Sequence, residues 1–360
     1  MPEALKNLYS PAFFERLSSQ FMAIYPAFDK GRFLELVYDE SWEQRELKAR
    51  MRHLVHCLHH TLQLPYREAL EVLKPVAALQ PYAYEYVFFP DYIEVYGQQD
   101  WEYSLPALEH FTQYSSSEFA VRPFIVQDTA RMMEQMQRWA AHPNEHVRRL
   151  ASEGCRPRLP WAMALPAFKK DPSPILPILE MLRQDPSEYV RRSVSNNLND
   201  IAKDHPDLVL DLSRRWYGQH PHTDWIVKRA LRTLLKQGHT EALGLFGFEK
   251  PEIQVAYFQA EPKQVPIGEG ISCRFALSLA SPEPSQLRLE YGIYFVKSGD
   301  KANRKVFQLK EDTFHPGQAR ELSFRHSFRQ LSTRRHYPGL HRIVLIVNGE
   351  EMAEQFVELI

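Results

Sequence analysis

HPNEHVRRLASEG (His142–Gly154) and DPSEYVRRSVSNN (Asp185–Asn197) decide how this chain folds. The two align without a gap at an offset of 43 residues, and a looser third copy, HPHTDWIVKRALRTLL, spans His220–Leu235. In each copy an acid or histidine before proline reads as a turn, and the proline as part of a first helical turn. The Val-Arg-Arg or Val-Lys-Arg that follows then opens the second helix of a pair. Arg148 and Arg149, Arg191 and Arg192, and Lys228 and Arg229 are therefore expected at equivalent helix starts. Helix N-termini attract phosphate through free N–H groups, and an arginine adds a planar fork of donors. One member of each pair is expected to turn inward, so that about half of these cations reach a ligand.

A period of about 40 residues with two helices has the size of a HEAT unit, which cannot bury its apolar face alone and stacks on its neighbours. Stacked pairs curve, and their concave face takes an extended ligand. The chain up to about residue 245 suits this reading throughout. Apolar spacing predicts helices in Pro11–Tyr25, Phe33–Tyr38 and Arg45–Leu62, and Pro65 and Pro75 bracket another, YREALEVL. The aromatic run Tyr82–Gly97 is apolar on every side and reads as buried connector and helix.

After Phe248 the period changes to two. IQVAYFQ, ISCRFALSLA, LRLEYGIYFV, KVFQL, ARELSFRHSF, HRIVLIVNGE and AEQFVEL are seven candidate strands. VNGEE supplies an Asn-Gly hairpin between the last two. Tyr337-Pro-Gly-Leu-His341 is similar to the tyrosine corner of immunoglobulin-like sandwiches. The expectation is an all-α HEAT-like repeat solenoid over residues 1–248, which binds and catalyses, followed by an all-β immunoglobulin-like sandwich over residues 249–360.

With 44% hydrophobic and 25% charged residues the composition is that of a soluble globular protein. No apolar run reaches the roughly 18–20 residues of a membrane span, so no membrane partner is expected. The opening MPEALKNLYSPAFFERL is amphipathic and carries acids, unlike a secretory or transit peptide. Cys57, Cys155 and Cys273 lie far apart, which suits neither a disulfide framework nor a zinc ribbon and points to a reducing cytoplasm. The net charge of −1 hides an asymmetry. Residues 139–236 hold 16 Lys and Arg against 11 Asp and Glu, whereas residues 1–138 hold 13 against 19. A basic middle indicates a localised anionic partner.

ASEGCRPRLPW (Ala151–Trp161) concentrates the candidate chemistry. Its Glu153 aligns with Asn196 of the next copy, and the tail from Arg156 to Trp161 has no counterpart there. Helix solvation alone would accept Glu or Asn, but the neighbours favour a site. Gly154 permits close backbone approach, Arg156 and Arg158 bring positive charge, and Pro157 and Pro160 fix the path to Trp161. A carboxylate among cations fits a place where a cation develops, as at the sugar when an N-glycosidic bond breaks. An indole face receives a sugar edge or a cationic base; the alternative for Trp161 is an ordinary core position. SSSEFAVRPF (Ser115–Phe124) reads as a helix start capped by Ser116 or Ser117, with Pro123 in the first turn. There Glu118 either complements the helix dipole or stands as a second carboxylate beside Glu153, with Arg122 holding a phosphate.

His53, His56, Cys57, His59 and His60 form the densest metal-like cluster, yet no third ligand stands at a familiar spacing from the His56 and His60 pair. No metal and no cofactor are expected. Gly-rich phosphate loops and G-x-S-x-G elbows are absent.

SSEFAVRPF (Ser116–Phe124), VRRLASEGCRPRLPWA (Val147–Ala162) and YVRRSVSNNLNDIAKDHP (Tyr189–Pro206) together resemble the AlkC branch of the AlkC/AlkD-like DNA alkylation repair glycosylases. The resemblance covers about residues 1–245, and some AlkC-type proteins carry an immunoglobulin-like domain behind the repeats. It implies a solenoid holding duplex DNA and excising N-methylated bases, 3-methyladenine and 3-methylcytosine, in base excision repair. The family is thought to work without extruding the base. By motif, Glu153 would be the main catalytic carboxylate, Trp161 would lie against the lesion's deoxyribose, and Glu118 would assist from the preceding helix. Cys155 departs from the small polar residue, such as Thr, expected there. A monomer acting on duplex DNA with alkylated bases follows, held by Arg122, Arg148, Arg149, Arg156, Arg158, Arg191, Arg192, Lys228 and Arg229. Arg325, Arg329, Arg334 and Arg335 would add contacts from the sandwich. The competing reading is a non-catalytic HEAT scaffold that binds DNA or protein.

Overall fold

The computed structural model describes residues 5–250, 252–297, 299–331 and 334–360. Helices α1 (Pro11–Ile24), α2 (Lys30–Val37), α3 (Leu47–Leu62), α4 (Tyr66–Ala78) and α5 (Phe88–Tyr96) come first. They are followed by α6 (Trp101–Phe111), α7 (Arg122–Gln127), α8 (Thr129–Ala140), α9 (Glu145–Glu153), α10 (Pro166–Lys170) and α11 (Leu176–Leu182). The helical part closes with α12 (Glu188–Ile201), α13 (Pro206–Trp216), α14 (Pro221–Ala230), α15 (Arg232–Gln237) and α16 (Thr240–Gly244). The chain forms two compact units. One comprises the residues up to Asp204 with Trp216–Ala230, the other His205–Arg215 with Leu231–Ile360. The strands begin at Ile253, and the second unit also takes in α15, α16 and most of α13.

Within the first unit α8 packs on α9, α9 on α12 and α12 on α14, the side-by-side stacking of a repeat array. The helix starts differ from the sequence reading in one respect. Asn144 caps α9 by accepting from the His146 N–H at 2.8 Å, and α12 begins after Ser187, whose own N–H donates to Asp185 Oδ1 at 2.8 Å. Pro143 and Pro186 thus precede the cap residue; in α9 a side-chain acceptor rather than a rigid ring starts the helix. In the third copy Pro221 does open α14, but Lys228 and Arg229 then fall in its last turn, not at its start.

The first arginine of each true pair has a shared task. Arg148 Nη1 donates to the carbonyls of His142 (3.0 Å) and Pro143 (2.6 Å). Arg191 Nη1 donates likewise to Asp185 and Pro186, both at 2.7 Å. Each guanidinium closes the turn that leads into its own helix. Two further departures are local: α4 runs through Pro75, and α7 is capped by neither Ser116 nor Ser117. Ser117 instead donates to the Leu108 carbonyl at 2.8 Å.

The second unit holds strands β1 (Ile253–Glu261), β2 (Gln264–Val265), β3 (Gly270–Leu279), β4 (Ser285–Lys297) and β5 (Gly299–Phe314), then β6 (Ala319–Ser327), β7 (Gly339–Val347) and β8 (Glu350–Leu359). They form a three-stranded sheet β1-β3-β6 and a five-stranded sheet β2-β8-β7-β4-β5. Ile271, Cys273, Phe275, Leu277 and Leu279 alternate inward from β3 and meet Leu287, Leu289, Ile293, Ile343 and Leu345 in one apolar core. The β7–β8 hairpin turns at Asn348 (φ 47°) and Gly349 (φ 84°), the left-handed pair that an Asn-Gly turn requires. KVFQL is the middle of the much longer β5, and the two-residue β2 is too short to leave an alternating pattern.

Candidate active site

Glu153 is the last residue of α9 and is buried. Its Oε1 accepts from Arg156 Nη1 at 2.5 Å and lies 3.6 Å from Arg149 Nη2, one helical turn back. Arg149 also pairs closely with Glu118, in the turn ahead of α7, and donates to Ser116 Oγ at 2.7 Å. Ser116 passes the bond on by donating to Glu118 Oε2 at 2.8 Å. On the other side Arg156 Nε donates to Asp200 Oδ2 at 2.9 Å, and Asp200, on α12, also pairs with Lys203 at 3.0 Å. Acids and bases therefore alternate from Glu118 through Arg149, Glu153, Arg156 and Asp200 to Lys203. Charges this far from water persist only when paired and hydrogen-bonded. Burial by itself would lower the pKa of Arg149, but the Glu118 and Glu153 carboxylates outweigh it and raise the value. Arg156 is raised in the same way, against its burial, by Glu153 and Asp200.

Arg122 occupies a different place from the one its motif suggested. Its side chain is fully buried, with Nε donating to the Met163 carbonyl (2.7 Å) and Nη1 to those of Gly154 (2.9 Å) and Arg156 (3.0 Å). Burial pushes its pKa down to about 10. A guanidinium so enclosed holds no phosphate; it pins the segment that runs from Glu153 to Trp161. Gly154 serves the same segment, since a Cβ there would lie 2.6 Å from Val121 Cγ2. The close approach it permits is to the protein itself. Cys155 is buried and donates to the Ala151 carbonyl at 3.2 Å, so the thiol packs between helices and stays out of the site.

Trp161 is 61% exposed, which sets aside the core alternative. Its backbone is left-handed (φ 65°), a conformation disfavoured for a side chain of this size. Lys48 on α3 donates to its carbonyl at 2.6 Å and lies 5.1 Å over the Phe119 ring. The indole meets Tyr84 edge-on at 6.1 Å, and the Tyr84 hydroxyl, raised in pKa by burial, also feels the charge of Glu118. Arg149 thus joins the two carboxylates, and Tyr84 touches the indole.

The remaining expected DNA contacts divide. Arg148 pairs with Asp185 at 2.6 Å besides closing its turn, and Arg149 and Arg156 are engaged with carboxylates. These three are internal struts held by carboxylates, and Arg122 is one held by carbonyls. Arg158 is half-exposed and pairs with Asp204 at 2.6 Å. Arg192 is well exposed and pairs with Glu188 at 2.6 Å on its own helix, and Arg229 lies 5.5 Å over Trp225. In the second unit Arg334 and Arg335 share a cleft with Lys297 and Lys305. Ser116, Asp200, Lys48 and Tyr189 were missed by sequence reasoning. The Tyr189 ring lies 5.0 Å from the Arg149 guanidinium, and its hydroxyl bonds to that of Tyr82 at 2.6 Å. The histidines of α3 bond elsewhere: His53 to the Leu36 carbonyl, His56 to Tyr96 and His59 to Tyr92. Among the described residues no cluster of three His, Cys, Asp or Glu is placed to hold a metal, and no helix is long and apolar enough to cross a membrane.

Residues 105–234 match the model of the DNA alkylation repair enzyme family, and residues 254–360 match the C-terminal Ig-like domain of the uncharacterised protein YhaZ. The chain is 47% identical to the uncharacterized protein YhaZ of Bacillus subtilis (strain 168) over 349 residues, 96% of each chain. It also superposes on the Pseudomonas fluorescens alkylpurine DNA glycosylase AlkC, solved bound to DNA containing an abasic site analog. That match has a TM-score of 0.96 at 39% identity and covers 99% of this chain and 100% of the other. The chain belongs to the AlkC branch of the DNA alkylation repair enzymes. Its repair-enzyme stretch carries Glu118, Glu153 and Trp161, while Lys48 lies outside it, in helices that precede residue 105.

Proposed function

We propose that this protein is a DNA glycosylase that removes cationic N-alkylated bases, 3-methyladenine and 3-methylcytosine, from duplex DNA without extruding them, opening base excision repair. What supports the reading is the juxtaposition of Glu118 and Glu153, bridged by Arg149, together with an exposed Trp161 on the segment that follows Glu153. A base methylated at N3 is already cationic, so breaking the bond from the sugar C1′ returns an electron pair to the base and neutralises it. The protein must then stabilise the oxocarbenium ion left on the deoxyribose and place one water. Glu153 faces that cation electrostatically, while Glu118 assists in orienting the water. The water oxygen adds to C1′, and its proton leaves to solvent. The Trp161 ring lies against the sugar, where an aromatic face gains attraction as positive charge builds. Hydrolysis written this way balances with water alone and calls on neither metal nor cofactor. Arg158, Arg192, Lys228 and Arg229 would meet the phosphates, Arg192 from a well-exposed position, and a monomer in the bacterial cytosol suffices.

The test is excision of 3-methyladenine from methylated duplex DNA. Glu153→Gln should lower the rate about 100-fold or more while keeping the melting temperature and the affinity for duplex containing an abasic site analogue. Full activity in that variant overturns the assignment. Trp161→Ala should lose rate to a smaller degree. A wild-type chain that binds methylated duplex and excises nothing would be the scaffold instead.

A further inference from the structure

We infer that Tyr189 is a positioning residue of this site, its ring holding the Arg149 guanidinium in register with Glu118 and Glu153. The inference rests on the glycosylase reading above. Arg149 directs its N–H groups to Ser116, Glu118 and Glu153, which leaves the flat face of the guanidinium without a donor to fix it. Tyr189 lies against the guanidinium, 5.0 Å from ring centroid to guanidinium carbon. The ring is itself aimed: its hydroxyl bonds to Tyr82 at 2.6 Å, and the Tyr82 ring lies 4.3 Å from that of His146. His146 is on α9, the helix that carries Arg149 and Glu153, so the contacts close a loop back onto the catalytic helix. Tyr189 stands in the second copy where His146 stands in the first, which places one repeat in service of its neighbour's chemistry. The counterpart of Arg149 in the second copy, Arg192, shows the difference: it is exposed and pairs with Glu188 of its own helix.

Removing the ring should leave both acids in place and loosen the cation between them. The measurement is single-turnover excision from methylated duplex by the full chain. Kd for duplex containing an abasic site analogue and the melting temperature are taken on the same preparations. Tyr189→Leu is expected to slow excision about 3- to 30-fold, the range of a cation–π contact, with Kd unchanged within about twofold. Tyr189→Phe keeps the ring but loses the hydroxyl bond to Tyr82, so its rate should recover to within about threefold of wild type. If Tyr189→Leu fails to fold, Tyr82→Phe, which removes only the hydroxyl bond that aims the ring, should still slow excision about threefold. A wild-type rate in Tyr189→Leu, or in Tyr82→Phe where it stands in, overturns the inference. So does a rate loss matched by an equal loss of affinity, which would make Tyr189 a DNA contact. A wild-type chain that excises nothing ends the glycosylase reading itself, a result distinct from either.

Discussion

Arg122, Arg149 and Arg156 are the same residue type within one stretch of structure, and burial makes them act differently. Arg122 has carbonyl oxygens for partners and no carboxylate among its hydrogen bonds. Replacing it by Met leaves three carbonyls bare, at about 1–3 kcal/mol each in the worst case. Arg122→Met is therefore expected to lower the urea unfolding midpoint strongly and to abolish excision with it; an unchanged midpoint would show that other contacts pin the segment. Gly154→Ala should cost about 1–3 kcal/mol, because its Cβ would meet Val121 at 2.6 Å. Cys155 offers a check on burial of another kind. Its pKa is pushed up to about 12 by burial, as are those of Cys57 and Cys273. Thiol reagents at neutral pH should label none of the three until the chain unfolds; rapid labelling of the native protein would contradict the packing described.

At the scale of the element, the repeated arginines separate scaffold from surface. Arg191→Ala should lose about 1–2 kcal/mol by baring two turn carbonyls. Arg192→Ala, which breaks an exposed pair within one helix, should lose less than about 0.5 kcal/mol. If Arg192 faces the duplex as proposed, its loss should instead reduce the salt slope of DNA binding by about 1. Equal stability losses in the two variants would show that the pair is not divided this way. Much of this architecture was legible in the sequence because burial of one face imposes a period: 43 residues for the repeats, two for the strands. Where it was not legible, a side chain had overruled the local pattern. Asn144 caps α9 and leaves Pro143 outside the first turn it was expected to join, and α4 tolerates Pro75. The site was half legible for a related reason. Glu118, Glu153 and Trp161 stand out by composition, whereas Asp200, Ser116 and Tyr189 act only through partners that stacking brings near. Apolar periodicity says which face is inside and nothing about which acid meets which base.

At the scale of the molecule the two units carry different liabilities, and the sandwich carries an acid one. His326 is buried against Tyr291 and has its pKa pushed down to about 4, by burial first and then by Arg334, His336 and His341. Unfolded, the same imidazole titrates near its ordinary value of 6.5. Between those values the unfolded chain binds the additional proton. The contribution is therefore intact above pH 6.5 and is lost as pH falls towards 4, by roughly 3 kcal/mol in all at about 1.4 kcal/mol per unit. His336 and His341 shift in the same direction. Melting followed from pH 7.5 to 4.5 should show the second unit losing stability, and His326→Phe should flatten that dependence; a parallel decline in both proteins would place the sensitivity elsewhere. The bond from Lys48 to the Trp161 carbonyl bears on how far the protein can be cut down. Residues 105–234 include both acids and the tryptophan, yet the lysine that steadies the tryptophan's left-handed backbone comes from α3. A fragment trimmed to that stretch would keep its reactive groups and lose their aim.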